Sequence, residues 1–207
     1  MEKRYVGLII VLVILATLVF DLSITKLVVL NRIDFLNPLM IWIGSSVIYA
    51  LVAVISVGLL IWKKDKRNYI PVLLFAIILG FVFSLILKQV IGRLRPEFAP
   101  LIEPLSQFSF PSGHAIVVFS VLAILQKGFK KISKLWLVLA MVVCFSRVYL
   151  GVHYLSDVVF GALFGYFISI ISLELEDNYR FSEKLLRIFG FSKKPVKKKK
   201  KRKKNKR

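Results

Sequence analysis

Six long apolar runs separated by short polar connections constrain this chain more than any other feature. They cover residues 6–20, 38–62, 69–91, 114–125, 135–150 and 158–173. A helix of about 20 apolar residues matches the hydrocarbon thickness of a bilayer. The fourth run is short, but the Ser-Gly pair before it can extend it. Hydrophobic residues make up 57% of the 207, and the mean hydropathy is +0.76. A soluble domain of this length has too little interior to hide so much apolar surface, so lipid must cover the rest. The expected architecture is all-α: a bundle of six transmembrane helices. Lys3 and Arg4 before the first run suggest a signal peptide. No small-residue cleavage site follows, so a retained anchor is the expectation.

The net charge of +20 invites a nucleic-acid reading, which its location argues against. Fifteen Lys or Arg and a single acid, Glu183, fall within residues 180–207, and no aromatic residues interleave the charges of the terminal run. Nucleic acid is therefore not an expected partner. Phe181, Leu185, Ile188 and Phe189 recur at helical spacing with Lys184 and Arg187 between them. Residues 178–192 thus read as an amphipathic helix on the inner leaflet. Residues 193–207 read as a disordered polybasic tail that either lies against anionic membrane lipids or serves orientation alone. Residues 1–177 form the membrane domain.

Basic residues between the runs set the orientation. Lys3 and Arg4, then Lys63, Lys64, Lys66 and Arg67, then Lys127, Lys130, Lys131 and Lys134, then the tail, all fall on one side. That alternation places both termini in the cytoplasm of a plasma-membrane protein. A short interfacial helix is expected at residues 33–38, over the outer face. Cys144 is the one cysteine, so no internal disulfide forms.

The chemistry-bearing residues gather on the opposite face. Lys88, Arg95 and Pro96 flank the second outer loop, which ends in Pro111, Ser112, Gly113 and His114. Ser146, Arg147, His153 and Asp157 border the third outer connection. Both histidines of the chain are here, and Lys88 and Arg147 lie at or within apolar helices, where charge is costly. A phosphate ester accounts for the collection. Arg forks and a Lys ammonium match its charge and acceptor oxygens. Ser112 and Gly113 precede the fourth helix, whose first N–H groups lack internal partners and favour an anion.

His153 and Asp157 stand four apart, on one helical face. A carboxylate at one ring nitrogen leaves the other as an outward lone pair, which is a nucleophile with its orienting group. His114, beside the phosphate cradle, suits a general acid. Taken singly, each feature has a plainer reading. Lys88 can snorkel, Arg-Pro and Pro-Ser-Gly occur in ordinary turns, and His153 with Asp157 can be a structural pair. Arg93 and Glu97 read as solvated loop charges or a mutual pair, Tyr149 and Tyr154 as interface aromatics. Zinc held by two His and Asp157 is disfavoured, because Lys88, Arg95 and Arg147 surround the position. No metal and no other cofactor is expected.

These stretches resemble the signature of the type 2 phosphatidic acid phosphatase (PAP2) superfamily, which includes phosphatidylglycerophosphate and undecaprenyl-pyrophosphate phosphatases. That pattern is Lys, six residues, Arg-Pro; then Pro-Ser-Gly-His; then Ser-Arg, five residues, His, three residues, Asp, and the chain meets every position. The resemblance implies a PAP2/haloperoxidase-like core and a metal-independent phosphatase acting on a lipid phosphate. It implies His153 as nucleophile, Asp157 as its partner, His114 as acid, and Lys88, Arg95, Arg147, Ser112 and Gly113 as the phosphate pocket. A lipid phosphotransferase using the same phosphohistidine, or an anion transporter using the three cations, remains open at this level.

Overall fold

The structure, a computed structural model, describes Leu12 and residues 15–188. In chain order the helices are α1 (Asp21–Leu30), α2 (Asn37–Ile43), α3 (Val47–Trp62), α4 (Tyr69–Ile91), α5 (Gly113–Ser120), α6 (Leu122–Gly128), α7 (Lys130–Tyr149), α8 (Leu155–Tyr179) and α9 (Phe181–Ile188). Short 3-10 turns at Asp34–Leu36 and Lys64–Lys66 complete the list. Among the described residues there is no strand, only an isolated antiparallel bridge between Leu94 and Phe108. The all-α expectation holds. Most of residues 6–20 lies outside the described residues, although 15–19 are helical.

Among the described residues α4, α7 and α8 are long and apolar enough to cross a membrane. The pair Asp34–Ile43 and Val47–Trp62 adds a fourth span if counted as one, bent by 60°. Helices α5 and α6 make a shorter apolar stretch, Gly113–Gly128. Six crossings are therefore not counted here. Two of the expected runs break for local reasons. The second, at 38–62, opens at Gly44, Ser45 and Ser46, where small residues take the elbow between α2 and α3. The fourth kinks at Val121, after Ser120 turns its hydroxyl back onto the Val117 carbonyl at 2.8 Å.

Helix α5 lies at the centre of the core, with Ala115, Ile116, Val117 and Val118 buried. Its closest partner is α8, and two glycines explain the approach. A Cβ on Gly161 would stand 2.8 Å from the Ser112 carbonyl, and one on Gly165 would collide with the Ile116 carbonyl. This small-residue stripe lets the backbones meet, the usual device where lipid removes the hydrophobic drive between helices. Trp136 of α7 closes the other side, donating from Nε1 to the Val118 carbonyl at 2.9 Å. The N-termini of α5 and α8 are thereby brought together.

At the chain's other end α8 runs through Tyr179, past the expected boundary at 177, and stops where Arg180 adopts a left-handed conformation. Helix α9 folds back so that Phe181 meets Phe75 with ring centroids 5.4 Å apart. Ser182 donates from its hydroxyl to Glu176 at 2.6 Å. Residues 181–188 of the expected amphipathic stretch are helical, and its remainder after 188, with the basic tail, lies outside the described residues.

Candidate active site

Helix α4 ends at Gly92, whose φ of 62° favours a residue without a Cβ, and the Gly92 N–H closes onto the Lys88 carbonyl at 3.0 Å. That turn sends Arg93 and Arg95 back across the helix ends. The loop that follows is tied down by its own backbone. Ser109 donates its N–H to the Arg93 carbonyl at 2.7 Å, and Leu101 donates to the Leu150 carbonyl at 3.0 Å. Lys88 reaches up to the Phe108 and Ser109 carbonyls at 3.0 and 3.1 Å. Arg95 Nε donates to the Ser106 carbonyl at 2.6 Å and its Nη1 to the Val152 carbonyl at 2.5 Å. These contacts fix the cations without neutralising them.

Six of the eight expected site residues line one cavity of ≈ 340 Å³: Lys88, Arg95, Gly113, His114, Arg147 and His153. Asp157, fully buried, stands behind His153 with Oδ2 3.4 Å from its Nδ1. That is a close contact rather than an aligned hydrogen bond, and such bonds in unliganded sites commonly tighten only in the complex. The other ring nitrogen, Nε2, faces Nη1 of Arg95 at 3.3 Å. Burial, then Arg147, Arg95 and Lys88, hold the His153 imidazole well below its usual range. Neutral, with Nδ1 toward a carboxylate, the ring presents its lone pair at Nε2.

Ser112 sits beside this cavity rather than in its wall. Its backbone N–H is already given to the Asp157 carbonyl at 3.0 Å, a link that locks the start of α5 to α8. Its hydroxyl oxygen is buried with no hydrogen-bond partner. Among the described residues seven buried side-chain polar atoms lack a hydrogen-bond partner; Ser45 Oγ, Ser112 Oγ and Arg147 Nε belong here, and a fourth, His153 Nδ1, has Asp157 beside it. Unsatisfied buried polar groups are rare and call for a cause, and a cluster of donors beside three cations fits an anion.

The elbow between α2 and α3 supplies what no motif signalled. Breaking the helix frees carbonyls that must find donors. Arg147 Nη1 donates to the Gly44 carbonyl, and His114 Nε2 donates to the Ser45 carbonyl at 3.2 Å. Tyr49, one turn into α3, places its hydroxyl 3.0 Å from His114 Nδ1, with the rings 4.4 Å apart. His114 is thus engaged at both nitrogens. The signal in the sequence was the Gly44-Ser45-Ser46 interruption of the second run, which marks the break that brings Tyr49 to His114.

Two expectations are overturned. Arg93 is neither solvated nor paired with Glu97. It donates to Asp157 Oδ1 at 2.9 Å and to Asp21 Oδ2 at 2.6 Å. The carboxylates are buried, and burial favours a cation that satisfies them over one left in water. Tyr149 is 3% exposed rather than interfacial, its hydroxyl held among Ile33 and Asn37. Tyr154 stays partly exposed and stacks under the Arg93 guanidinium at 4.0 Å, a contact that leaves its interfacial reading untouched. Among the described residues no group of three or more His, Cys, Asp or Glu side chains could hold a metal ion.

Comparison with known proteins bears on this arrangement. The PAP2 superfamily model matches residues 70–180. The chain is 36% identical over 160 residues to phosphatidylglycerophosphatase B of Bacillus subtilis, covering 70% of this chain and 77% of that protein. It is 32% identical over 165 residues to the undecaprenyl-diphosphatase of Sulfolobus acidocaldarius, covering 77% and 80%. Its fold is similar to the crystal structure of a transmembrane PAP2-type phosphatidylglycerolphosphate phosphatase from Bacillus subtilis. The TM-score is 0.65 at 28% identity, over 85% of this chain and 96% of that one.

Proposed function

The chain belongs to the PAP2 superfamily and is a phosphoric monoester or diphosphate hydrolase of a membrane, and on that premise we propose that it dephosphorylates a lipid through a phosphohistidine at His153. The observation that carries this reading is the single cavity in which a neutral, carboxylate-backed imidazole faces three fixed cations.

In the first step His153 Nε2 attacks phosphorus and the bond to the lipid oxygen breaks. His114, held as imidazolium by the bound phosphate anion, gives that oxygen its proton from the nitrogen Tyr49 contacts, since the Ser45 carbonyl holds the other N–H. In the second step His114 takes a proton from water, the water oxygen bonds phosphorus, the P–N bond breaks and inorganic phosphate leaves. Lys88, Arg95 and Arg147 offset charge on the equatorial oxygens in both transition states. The N-terminus of α5 at Gly113 and the Ser112 hydroxyl complete the cradle. Asp157 keeps the His153 proton on Nδ1. No step needs a metal.

The substrate is a lipid bearing a terminal phosphomonoester or pyrophosphate: polyprenyl pyrophosphate such as undecaprenyl pyrophosphate, phosphatidylglycerol phosphate, or phosphatidic acid. Ile41, Phe81 and Leu85 line the same cavity and are also open on the helix surface, which supports entry from the lipid side. The basic connections support six crossings, both termini in the cytoplasm of a plasma-membrane protein and the cavity on the outer side. They equally support a polybasic tail against anionic lipid.

The test is phosphate release by the purified chain from each of these lipids, with and without EDTA. Release that persists in EDTA and disappears in His153→Gln supports the reading. Dependence on added metal, or turnover by the His153→Gln variant, sinks it.

A further inference from the structure

Helix α1 reaches the site without touching the cavity. Asp21, its first residue, is buried against the start of α8. Its Oδ1 accepts the Ser156 N–H at 2.8 Å and its Oδ2 the Ser156 hydroxyl at 2.5 Å. One turn on, Thr25 Oγ1 accepts the Leu155 N–H at 3.1 Å. Two side chains of α1 therefore cap α8, satisfying N–H groups that a helix start leaves open.

Capping alone does not explain Arg93. Its Nη2 holds Asp21 Oδ2 at 2.6 Å, and its Nη1 holds both Ser156 Oγ at 2.7 Å and Asp157 Oδ1 at 2.9 Å. One guanidinium is shared between two carboxylates. The other oxygen of Asp157, Oδ2, accepts the Tyr154 N–H at 2.9 Å and is the one facing His153. Arg93 on one side and the Tyr154 N–H on the other therefore prevent the carboxylate from rotating. How strongly Arg93 draws on Asp157 depends in turn on Asp21.

We propose that Arg93 and Asp21 are a positioning pair for Asp157: together they fix its orientation and set how much of its negative charge reaches His153. The inference rests on His153 being the nucleophile. Neither residue touches the substrate. The other charged groups around the unit are accounted for. Arg95, Arg147, Lys88 and the titratable His114 face His153 from the cavity, Lys88 also faces Asp157, and the Tyr154 ring covers Arg93. None of them bridges Asp21 to Asp157.

The experiment is a pH profile of kcat/KM for phosphate release from a lipid phosphate in detergent micelles. It compares the full-length wild type with Asp21→Asn, Arg93→Gln, Arg93→Lys and Thr25→Val. The acid limb reports protonation of His153 in the free enzyme. In Arg93→Gln the undiluted carboxylate stabilises imidazolium, so the limb moves up by about half a pH unit or more. In Asp21→Asn the guanidinium gives its full charge to Asp157, so the limb moves down by a similar amount. Both lose about tenfold or more in kcat, with KM within about twofold. Arg93→Lys keeps the charge but not the fork and recovers part of kcat.

Thr25→Val removes a hydrogen bond between the same two helices and leaves the limb where it was. Limbs that coincide with wild type, or a Thr25→Val profile that moves with the others, overturn the pairing. If Arg93→Gln does not fold, the downward shift in Asp21→Asn decides alone. A wild type that releases no phosphate overturns the phosphatase reading and this inference with it. A wild type that turns over beside unshifted variants overturns this inference only.

Discussion

The Nε2 atom of His153 lies 3.3 Å from Nη1 of Arg95, so the lone pair of a buried imidazole points at a guanidinium that donates elsewhere to two carbonyls. In the proposed mechanism an anion bound by Arg95 stands beside Nε2. Ring and cation are placed for a third party, and most of the expected outcomes below follow from that placement.

Replacing His153 with Gln removes the proposed nucleophile and keeps a polar side chain of similar size. Phosphate release should fall by at least about 1,000-fold. With phosphorus-labelled lipid, rapid alkaline quenching of wild type should trap an acid-labile, base-stable phosphoprotein, and the variant should show none. A wild type that stays unlabelled while turning over would argue for direct attack by water.

The depressed His153 titration fixes the direction of two pH effects. Activity should persist on the acid side past the ordinary histidine range near 6.5, because the ring stays neutral there. Stability should go the other way. Below about pH 6.5 the unfolded chain takes up a proton that the folded ring refuses, so stability from this group is complete above that pH and is lost as pH falls toward the folded value. Thermal melting in detergent between pH 7 and 5 should show the loss, and His153→Gln should flatten it.

Tyr49→Phe deletes the hydroxyl that meets His114 Nδ1 at 3.0 Å. With His114 as the proposed acid for the departing oxygen, kcat for a lipid phosphate should drop about tenfold. With p-nitrophenyl phosphate, whose leaving group needs no proton, the variant should approach wild type. An equal loss on both substrates would assign Tyr49 to packing.

Gly165→Val places a branched side chain against the Ile116 carbonyl, where even a Cβ collides. Helix α5 must then move off α8, at a cost of about 1–3 kcal/mol. The melting midpoint should fall, and activity should fall further than stability, since the same contact aligns Ser112 with Asp157. Gly58→Ala is the comparison, because a Cβ there meets nothing within 4 Å.

The chemistry was legible because it is local. His153 and Asp157 share a helical turn, Ser112 and Gly113 start a helix, and Lys88 ends one, so spacing alone put them on one face. All but two of the eight expected site residues line the cavity, and the remaining two sit directly behind its wall. Arg93 was misread because its partners, Asp21 and Asp157, lie 72 and 64 positions away in the chain. Tyr149 was misread for the same reason, its hydroxyl being bound by residues more than 100 positions distant.

Hydropathy and the spacing of cations and imidazoles are properties of short segments, and they determined that this chain is helical, lies in lipid and gathers its cations and imidazoles toward one cavity. The elbow at Gly44–Ser46, the Tyr49 contact to His114 and the sharing of Arg93 between two aspartates were decided only when distant segments packed. A carbonyl freed by a bent helix, or a carboxylate buried without water, takes the nearest donor in space, and that donor is set by how α1, α3, α5 and α8 meet rather than by position along the chain.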